Sequence, residues 1–376
     1  MNKMVNKILT GAETSAEAMR QIAPDVVSAY PITPQTHIIE KFSEFIADGL
    51  IDTELIRVES EHSALSACVG ASATGARTMT ASSSAGLALM FEILGVTSGL
   101  RLPVIMNITN RALSSPINIH CDHSDSMNCR DSGWIQIYSE NCQEVYDFNL
   151  IAVKLAESIN LPVMIMQDGF IVSHGVENLC ILEDKKAKLF IGNYKPKFSL
   201  LEFKKPKTFG ALQLTDYNFE TKIQISQAME KAKQKYLEIS KAYSKISGRN
   251  YNFFEYYGNK NTKDVIVALS STAGTIKSMI DEGLNLALLK INLFRPFPHE
   301  EIKNILKDKK RIIILDRSES YGSYPPLYSE IKSALYDLKE KPELISHVFG
   351  IGGREIYKQD IKNILNNSKK YIGVRE

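Results

Sequence analysis

Two glutamates, Glu59 and Glu61, open the stretch RVESEHSALSACVGASATGARTMTASSSAGL (57–87), which otherwise consists largely of Ala, Ser, Gly and Thr. Small residues allow a helix to approach another backbone or a flat ligand closely. A carboxylate at the start of a helix lies near the positive end of the helix dipole, which favours its ionised form. The stretch therefore predicts either a reactive carboxylate at Glu61 or an ordinary helix N-terminus capped by Ser60.

Three further polar residues follow apolar runs that are typical of strands. Thr33 lies between Pro31 and Pro34 in YPITPQT, so its hydroxyl is expected on a stiff loop after the run VVSAY. Arg111 follows LPVIMNITN, and Asp168 ends the apolar run LPVMIMQ. Either Arg111 pairs with an acidic side chain of the protein, or it holds an anion such as a substrate carboxylate. The sequence leaves both readings open.

A metal site is not favoured by the spacing of the candidate ligands. The segment HCDHSDSMNC contains His120 and His123 with Asp122 and Asp125, but no third ligand element is placed by spacing, so a hydrogen-bonded loop is the preferred interpretation. None of the cysteines forms a CxxC pair, which argues against zinc and against an iron–sulfur cluster held by this chain. Free thiols are expected at Cys68, Cys121, Cys129, Cys142 and Cys180.

Helices and strands alternate through the first half of the chain, which predicts a parallel sheet covered on both faces. Ligands of such sheets bind beyond the carboxyl ends of the strands, where Thr33, Glu61, Arg111 and Asp168 are all expected. Core positions are expected for Leu65, Met90 and Ile108. Helices are predicted over 10–23, 37–50, 84–99 and 142–159, and strands over 26–30, 76–82, 102–110, 134–139 and 161–170.

The second half of the chain predicts a separate, smaller α/β unit. Residues 180–217 read as irregular or as a small hairpin, and 220–250 as a long amphipathic helix that bridges to the next domain. Strands are predicted over 263–271, 284–294, 310–318 and from 344, and the GIGG turn that follows lacks the pattern of a phosphate loop. The predicted division is a first domain over 1–240, a linker over 241–261 and a second domain over 262–376.

Composition excludes some classes of protein. A chain of 376 residues with 44% hydrophobic and 23% charged residues is typical of a globular protein of two domains. The sequence contains no run of eighteen apolar residues, so no membrane span is predicted. The N-terminus lacks the apolar core of a signal peptide and enters a helical pattern. A cytoplasmic location is therefore expected. Residues 1–180 carry 10 basic and 20 acidic residues, a balance of −10, and residues 181–376 carry 35 and 23, a balance of +12. The basic residues are not clustered with aromatics, which favours a solvated surface over nucleic-acid binding.

Several motifs resemble the alpha subunits of the pyruvate:ferredoxin oxidoreductase family, within the wider group of 2-oxoacid:ferredoxin oxidoreductases. In the first domain these are YPITP (30–34), ESEHSALSACVGAS (59–72), NITNRALS (107–114), DHSDSMNCRDSGWIQIYSEN (122–141) and QDGF (167–170). In the second they are LFRPFP (293–298), LDRS (315–318) and FGIGGRE (349–355). The resemblance extends over nearly the whole chain, and the DSGWIQ stretch favours the pyruvate-type branch.

The resemblance implies a fold and a division of labour. The first domain would be the pyrimidine-binding domain of a thiamine diphosphate enzyme, and the second would be similar to the transketolase C-terminal domain. The diphosphate and its Mg²⁺ would be held by a partner beta subunit, because no GDG motif occurs here. The [4Fe-4S] clusters would lie on ferredoxin-like gamma and delta subunits. The implied reaction is oxidative decarboxylation of pyruvate with coenzyme A to acetyl-CoA, with electrons passed to ferredoxin or flavodoxin.

The resemblance also implies roles for single residues. Glu61, rather than Glu59, would hydrogen-bond N1′ of the aminopyrimidine, which makes the 4′-amino group acidic. Pro31 and Ile32 would contact the cofactor, Thr33 the 2-oxoacid, and Arg111 its carboxylate. Two alternatives stand beside this reading: the same chemistry on 2-oxoisovalerate or 2-oxoglutarate, and a non-catalytic α/β protein whose small-residue helix is only an interface.

Overall fold

The computed structural model describes residues 4–365 and 369–375. Its helices are α1 (Gly11–Ile22), α2 (Thr36–Ala47), α3 (Glu61–Ala73), α4 (Ser84–Leu89), α5 (Phe91–Gly99), α6 (Ser124–Asn128), α7 (Cys142–Ile159), α8 (Asp184–Ile191), α9 (Asn218–Ser247), α10 (Thr272–Asp281), α11 (His299–Leu306), α12 (Pro326–Leu335) and α13 (Lys358–Ile364). Its strands are β1 (Met4–Thr10), β2 (Val26–Ala29), β3 (Glu54–Arg57), β4 (Thr78–Ser82), β5 (Ile105–Asn110), β6 (Ile135–Tyr138), β7 (Val163–Asp168), β8 (Val176–Leu182), β9 (Phe254–Gly258), β10 (Asp264–Leu269), β11 (Ala287–Ile291), β12 (Leu293–Arg295), β13 (Arg311–Asp316) and β14 (Glu343–Val348).

The first sheet has the strand order β12-β6-β7-β5-β4-β2-β3 in the described residues. Its strands are parallel except β12, which pairs antiparallel with β6. Strands β4, β5 and β7 are buried along their whole length, which explains their continuous apolar sequences. Leu65, Met90 and Ile108 are fully buried, as predicted. The parallel α/β architecture predicted for the first half of the chain is confirmed.

The second sheet has the order β14-β13-β10-β11-β9, with β9 antiparallel at its edge. A single apolar cluster contains residues from both sheets, among them Ile108 and Met166 of the first and Val267 and Ile314 of the second. A buried ion cluster also joins the two parts, because Lys290 Nζ of β11 lies 2.8 Å from Glu140 Oε2 and also contacts Glu144 of α7. The two sheets therefore pack against each other through both apolar and charged side chains.

The predicted strand over 284–294 is divided in the structure. Strand β11 belongs to the second sheet, and β12 crosses to the edge of the first. Asn292 lies between them, and its carbonyl accepts a hydrogen bond from Tyr138 N at 2.8 Å. The prediction of one continuous strand is wrong because periodicity cannot show that a chain changes sheets at a single residue. Helix α9 runs across residue 240, the predicted boundary between the first domain and the linker.

Two other local predictions are wrong. Strand β1 replaces the helical pattern expected from the N-terminus, and residues 180–191 contain the end of β8 and helix α8 rather than irregular chain. Strands β1 and β8 form a separate antiparallel pair, Met4 opposite Leu182. Because the paired residues lie more than 160 positions apart in sequence, neither strand has a local hairpin signal.

The apolar segment over 84–99 is not one buried helix. It is divided at Met90 into α4 and α5, and Leu89, Phe91 and Val96 are about half exposed, with fractions of 51%, 53% and 39%. The inner side of these helices packs on the sheet through Leu87 and Leu94. Among the described residues, no helix has the length and apolar character needed to cross a membrane.

Candidate active site

Glu61 is the first residue of α3, directly after strand β3 and a short turn. The Ser60 hydroxyl caps the helix by accepting a hydrogen bond from Ser63 N at 3.2 Å. Ser60 is thus the cap predicted for an ordinary helix N-terminus, and Glu61 occupies the first turn near the positive end of the helix dipole. Only 6% of the Glu61 surface is exposed.

The Glu61 side chain lies against Gly86 of α4. A Cβ atom at residue 86 would overlap Glu61 Oε1 and would come within 2.8 Å of its Cδ. No donor among residues 4–365 and 369–375 forms a hydrogen bond with the Glu61 carboxylate. A buried carboxylate without a donor is costly, so the structure leaves an acceptor here that a ligand can satisfy.

Glu59 has a different environment, although it is only two residues away. Its carboxylate accepts a hydrogen bond from the Ser63 hydroxyl, and this bond lowers the pKa of Glu59. The pair lies at the surface of the protein. Of the two glutamates, Glu61 is therefore the buried one that lacks a partner in the described chain.

The loop before α2 carries the residues at 31–33. Pro31 and Thr33 are exposed, and Ile32 is partly buried. The Ile32 carbonyl accepts hydrogen bonds from Gln35 N at 2.7 Å and from Thr36 N at 3.1 Å, so the loop is a tight turn that leads into the helix. This turn leaves the Thr33 hydroxyl without a hydrogen bond to any described residue.

Arg111 lies directly after β5 and is 6% exposed. Its Nη1 donates to the Thr33 carbonyl at 2.8 Å, and its Nε donates to the Asn118 carbonyl at 2.8 Å. Burial lowers the pKa of Arg111, and the charge of Asp125 opposes this shift. Within the described part of the chain the guanidinium forms no ion pair with a carboxylate. Its orientation is fixed by neutral carbonyls, and its charge is available to an anion.

Asp125 joins the neighbourhoods of Glu61 and Arg111. Its Oδ2 accepts hydrogen bonds from Ser84 N at 2.9 Å and from Arg111 N at 3.0 Å. Burial raises the pKa of Asp125 to about 6, despite these bonds and one from Asn110. Ser84 begins the helix that carries Gly86, so one carboxylate fixes both the wall beside Glu61 and the backbone of Arg111. The sequence indicates Asp125 only as a possible metal ligand, and the polar run HSDSMN is the signal that could have suggested a structural role.

Asp168 is directed at the second sheet rather than at an open site. Its carboxylate contacts His123 Nε2 at 2.8 Å, Arg317 Nη1 at 3.1 Å and the Ser271 hydroxyl. The thiol of Cys121 also lies close to His123 and Asp168. Arg317 is paired with Asp168 in this cluster, and its positive charge would repel a metal ion there. The other histidine of the segment, His120, packs against the ring of Phe170.

Comparison with known proteins decides the family. Residues 17–241 match the family described as "Pyruvate flavodoxin/ferredoxin oxidoreductase, thiamine diP-bdg", and residues 262–361 match "Pyruvate:ferredoxin oxidoreductase core domain II". The chain belongs to the pyruvate:ferredoxin oxidoreductase family. The resemblance in the sequence motifs and the predicted α/β fold class are thereby confirmed.

Individual relatives of this family align with nearly the whole chain. The chain is 50% identical to "Pyruvate synthase subunit PorA" of Thermotoga maritima, with 100% of both chains covered. It is 45% identical to the protein of the same name from Methanocaldococcus jannaschii, with 98% of both covered. It is 41% identical to "Ketoisovalerate oxidoreductase subunit VorA" of Pyrococcus horikoshii, over 98% of this chain and 95% of that one.

Solved structures share the fold. A 2-oxoglutarate:ferredoxin oxidoreductase from Magnetococcus marinus superposes with a TM-score of 0.74 at 19% identity, covering 96% of this chain and 65% of that chain. A split-gene transketolase superposes with a TM-score of 0.52 at 14% identity, covering 90% and 89%. Both likenesses support an architecture shared by the oxidoreductase family and transketolase.

Proposed function

We propose that this chain is the alpha subunit of a pyruvate:ferredoxin oxidoreductase. The complex would decarboxylate pyruvate oxidatively with coenzyme A, release CO₂ and acetyl-CoA, and pass two electrons to ferredoxin or flavodoxin. Family membership supports the reaction type. The higher identity to two pyruvate synthase subunits than to the ketoisovalerate subunit supports pyruvate as the substrate.

One observation carries the proposal for the site: the Glu61 carboxylate is buried, lacks a donor in the described chain, and lies against a glycine. An aminopyrimidine fits this environment because its ring is flat and its N1′ atom, when protonated, is a donor. The small residues of α3 and α4 leave room for a close approach. The chemistry of the residues present therefore fits the pyrimidine half of thiamine diphosphate.

The residues of this chain would act on the cofactor and on the substrate. When bound, thiamine diphosphate supplies a nucleophilic carbon and an electron sink for decarboxylation. Glu61 would accept a hydrogen bond from protonated N1′ and so hold the proton at that atom. Pro31 and Ile32, which lie on a rigid turn, would contact the cofactor. Thr33 donates its hydroxyl hydrogen to the 2-oxo oxygen, and Arg111 holds the substrate carboxylate.

The remaining machinery is assigned to partner subunits. The diphosphate and Mg²⁺ would lie on a beta subunit, and the [4Fe-4S] clusters on ferredoxin-like gamma and delta subunits. The lack of CxxC spacing among the five cysteines supports the second assignment, and all five are free thiols. The exposed Leu89, Phe91 and Val96 lie on helices next to Glu61 and offer an apolar surface to a partner.

The same proposal includes the organisation and location of the chain. We assign residues 1–240 to the pyrimidine-binding domain, 241–261 to a linker and 262–376 to the transketolase C-terminal-like domain. The first family match ends at residue 241 and the second begins at residue 262, which supports this division. We place the complex in the cytoplasm, where its reduced cysteines would persist.

The substrate is tested on the assembled complex, purified through a tag on this chain from its native host. Reduction of ferredoxin is measured with pyruvate, 2-oxoisovalerate and 2-oxoglutarate, each with coenzyme A. We expect kcat/KM for pyruvate to exceed the other two by at least about tenfold, which corresponds to roughly 1.4 kcal/mol of transition-state discrimination. A preference for a branched or dicarboxylic 2-oxoacid would reject pyruvate, and a chain that purifies without thiamine diphosphate or iron-bearing partners would reject the split enzyme.

Replacing Gly86 by alanine tests the geometry around Glu61. The added methyl group would overlap Glu61 Oε1, Cδ and Cγ, so the carboxylate must shift. We expect Gly86→Ala to lower the kcat of the complex by roughly 10²-fold, because a displacement of about 1 Å has that effect on aligned groups. The measurement is ferredoxin reduction at saturating pyruvate, with thiamine diphosphate content determined in parallel.

The matched control is Gly99→Ala at the end of α5, which is not one of the exposed residues proposed to face a partner. Apart from its chain neighbours and the backbone of its own helix, no described atom lies within 4 Å of a Cβ at residue 99, so the substitution should change stability by about 1 kcal/mol or less, through helix propensity. Its turnover should equal that of the wild type. Equal turnover for both variants would mean that the position of Glu61 does not matter for catalysis.

A further inference from the structure

The loop between Arg111 and His123 is tied to the second sheet by two hydrogen bonds. Asn118 Nδ2 donates to the Gly352 carbonyl at 3.0 Å, and Gly352 N donates to Asp122 Oδ2 at 3.0 Å. Gly352 lies in the short 3₁₀ helix Ile351–Gly353 that follows β14. Gly352 of the second domain thus bonds to two side chains of this first-domain loop, one through its carbonyl and one through its N–H.

The same loop is closed on itself. Ala112 N donates to the His120 carbonyl at 3.0 Å, and His120 N donates to Asn118 Oδ1 at 2.7 Å. The Asn118 side chain therefore uses its oxygen within the loop and its nitrogen toward Gly352. These two roles can be separated by substitution.

The backbone of Asn118 contacts Arg111 directly. Its carbonyl accepts the hydrogen bond from Arg111 Nε, while Thr33 holds Nη1. Asp125 fixes the main chain of Arg111, so the direction of the guanidinium depends on the Asn118 and Thr33 carbonyls. A shift of Asn118 would rotate the plane in which Arg111 presents its donors.

The contact with the second domain requires glycine. Gly352 has φ +62°, and a Cβ there would lie 2.6 Å from Asn118 Nδ2. At Gly353, which has φ +80°, a Cβ would overlap the Cβ of His120. These contacts give the FGIGGRE turn a role that does not involve phosphate binding: it approaches the Arg111 loop as closely as backbone allows.

We propose that Asn118 is a positioning residue for substrate recognition, through which Gly352 of the second domain orients the Arg111 guanidinium. The inference rests on the proposed function, because it gives that site a second-domain support. Recognition of a carboxylate by a guanidinium fork depends on the plane of the fork. Losing the coupling therefore weakens the binding of the 2-oxoacid without removing a group that takes part in the chemistry.

The test compares steady-state constants of complexes with altered alpha subunits. Asn118→Ala keeps the carbonyl that holds Arg111 but removes both side-chain hydrogen bonds. We expect KM for pyruvate to rise about fivefold to tenfold, the size of effect expected when one hydrogen bond between Arg111 and the substrate carboxylate is lost, with kcat and thiamine diphosphate affinity unchanged. Asn128→Ala is the matched control, because that exposed side chain bonds to Ser124 of its own helix and not to the Arg111 loop.

A second variant separates the loop from its support. Asn118→Asp keeps the acceptor for His120 N and replaces the donor to Gly352 by an oxygen, so KM should rise as in Asn118→Ala.

Gly352→Ala should also raise KM, but should add little when combined with Asn118→Ala, since the group it would collide with is absent. Its backbone strain is present in both backgrounds and cancels in the comparison.

The outcomes separate the inference from the proposed function. A wild-type complex that oxidises none of the three 2-oxoacids contradicts the function and, with it, the inference. An active wild-type complex whose KM is unchanged in Asn118→Ala and Asn118→Asp contradicts the inference alone. A parallel fall in kcat and cofactor content would show general damage to the fold, and this too would contradict a positioning role.

Discussion

In the assembled complex, Glu61→Gln should lower the kcat of pyruvate-dependent ferredoxin reduction by roughly 10²–10⁴-fold, the range of a lost proton-transfer group. Glutamine has nearly the same shape and can occupy the same buried space beside Gly86. Its amide cannot exchange a proton with N1′ of the aminopyrimidine. The loss should therefore appear in the chemical step while assembly and thiamine diphosphate content are retained.

Glu59→Gln is the control for this prediction. Glu59 is two residues away and also carries a carboxylate, but it lies at the surface and is paired with the Ser63 hydroxyl. Its substitution should leave kcat within about twofold of the wild type. If Glu61→Gln turns over at a near-normal rate, Glu61 is not the residue that protonates the pyrimidine. If only Glu59→Gln is inactive, the roles of the two glutamates are exchanged.

Much of the first domain can be predicted from local sequence. Strands such as β5 and β7 are continuous apolar runs because both faces are covered, and that pattern is visible in the sequence. Two other features can be predicted for the same reason, the turn at Pro31 to Pro34 and the close packing of the small residues after Glu61. Each depends on residues that are neighbours in the sequence. Local patterns of this kind are enough to predict Thr33, Glu61 and Arg111 at one edge of the sheet.

Features that depend on distant contacts cannot be predicted in this way. The role of Asp125 requires Ser84 N, which is 41 residues away, and that of Asn118 requires Gly352, which is 234 residues away. Lys290 shows how a signal can be present but incomplete. It is a lysine within an apolar strand, and such a residue must find buried carboxylates, but the sequence does not indicate that Glu140 and Glu144 provide them.

Asp168→Asn should lower the free energy of unfolding of the chain by about 3–5 kcal/mol at pH 7, the cost of removing one partner from a buried ion pair. Asp168 is fully buried at the end of β7, and its partners Arg317 and Ser271 follow strands of the second sheet. The substitution leaves the buried Arg317 cation without that carboxylate. The measurement is urea-induced unfolding, monitored by far-UV circular dichroism.

The dependence on pH gives this prediction a sign. Burial raises the pKa of Asp168, but the charge and hydrogen bond of His123, together with Arg317 and Ser271, outweigh burial and lower it well below its ordinary value. A carboxyl whose pKa is lowered by folding stabilises the protein fully above the pKa of the unfolded chain, about 3.9. That stability is lost as the pH falls through the lower pKa of the folded state. The difference between wild type and Asp168→Asn should therefore shrink as the pH falls below about 4.

Asp264→Asn is the matched control, since it removes a carboxylate that pairs with an arginine, Arg311, at 2.5 Å near the surface. Side-chain exposures of 32% for Asp264 and 28% for Arg311 predict a loss of about 1 kcal/mol or less. Both substitutions remove a carboxylate that pairs with an arginine, so a difference between their effects on stability is caused by burial. If Asp168→Asn costs no more than the control, the contact between the carboxyl ends of the two sheets does not depend on this carboxylate. The apolar cluster shared by both sheets would then account for their association.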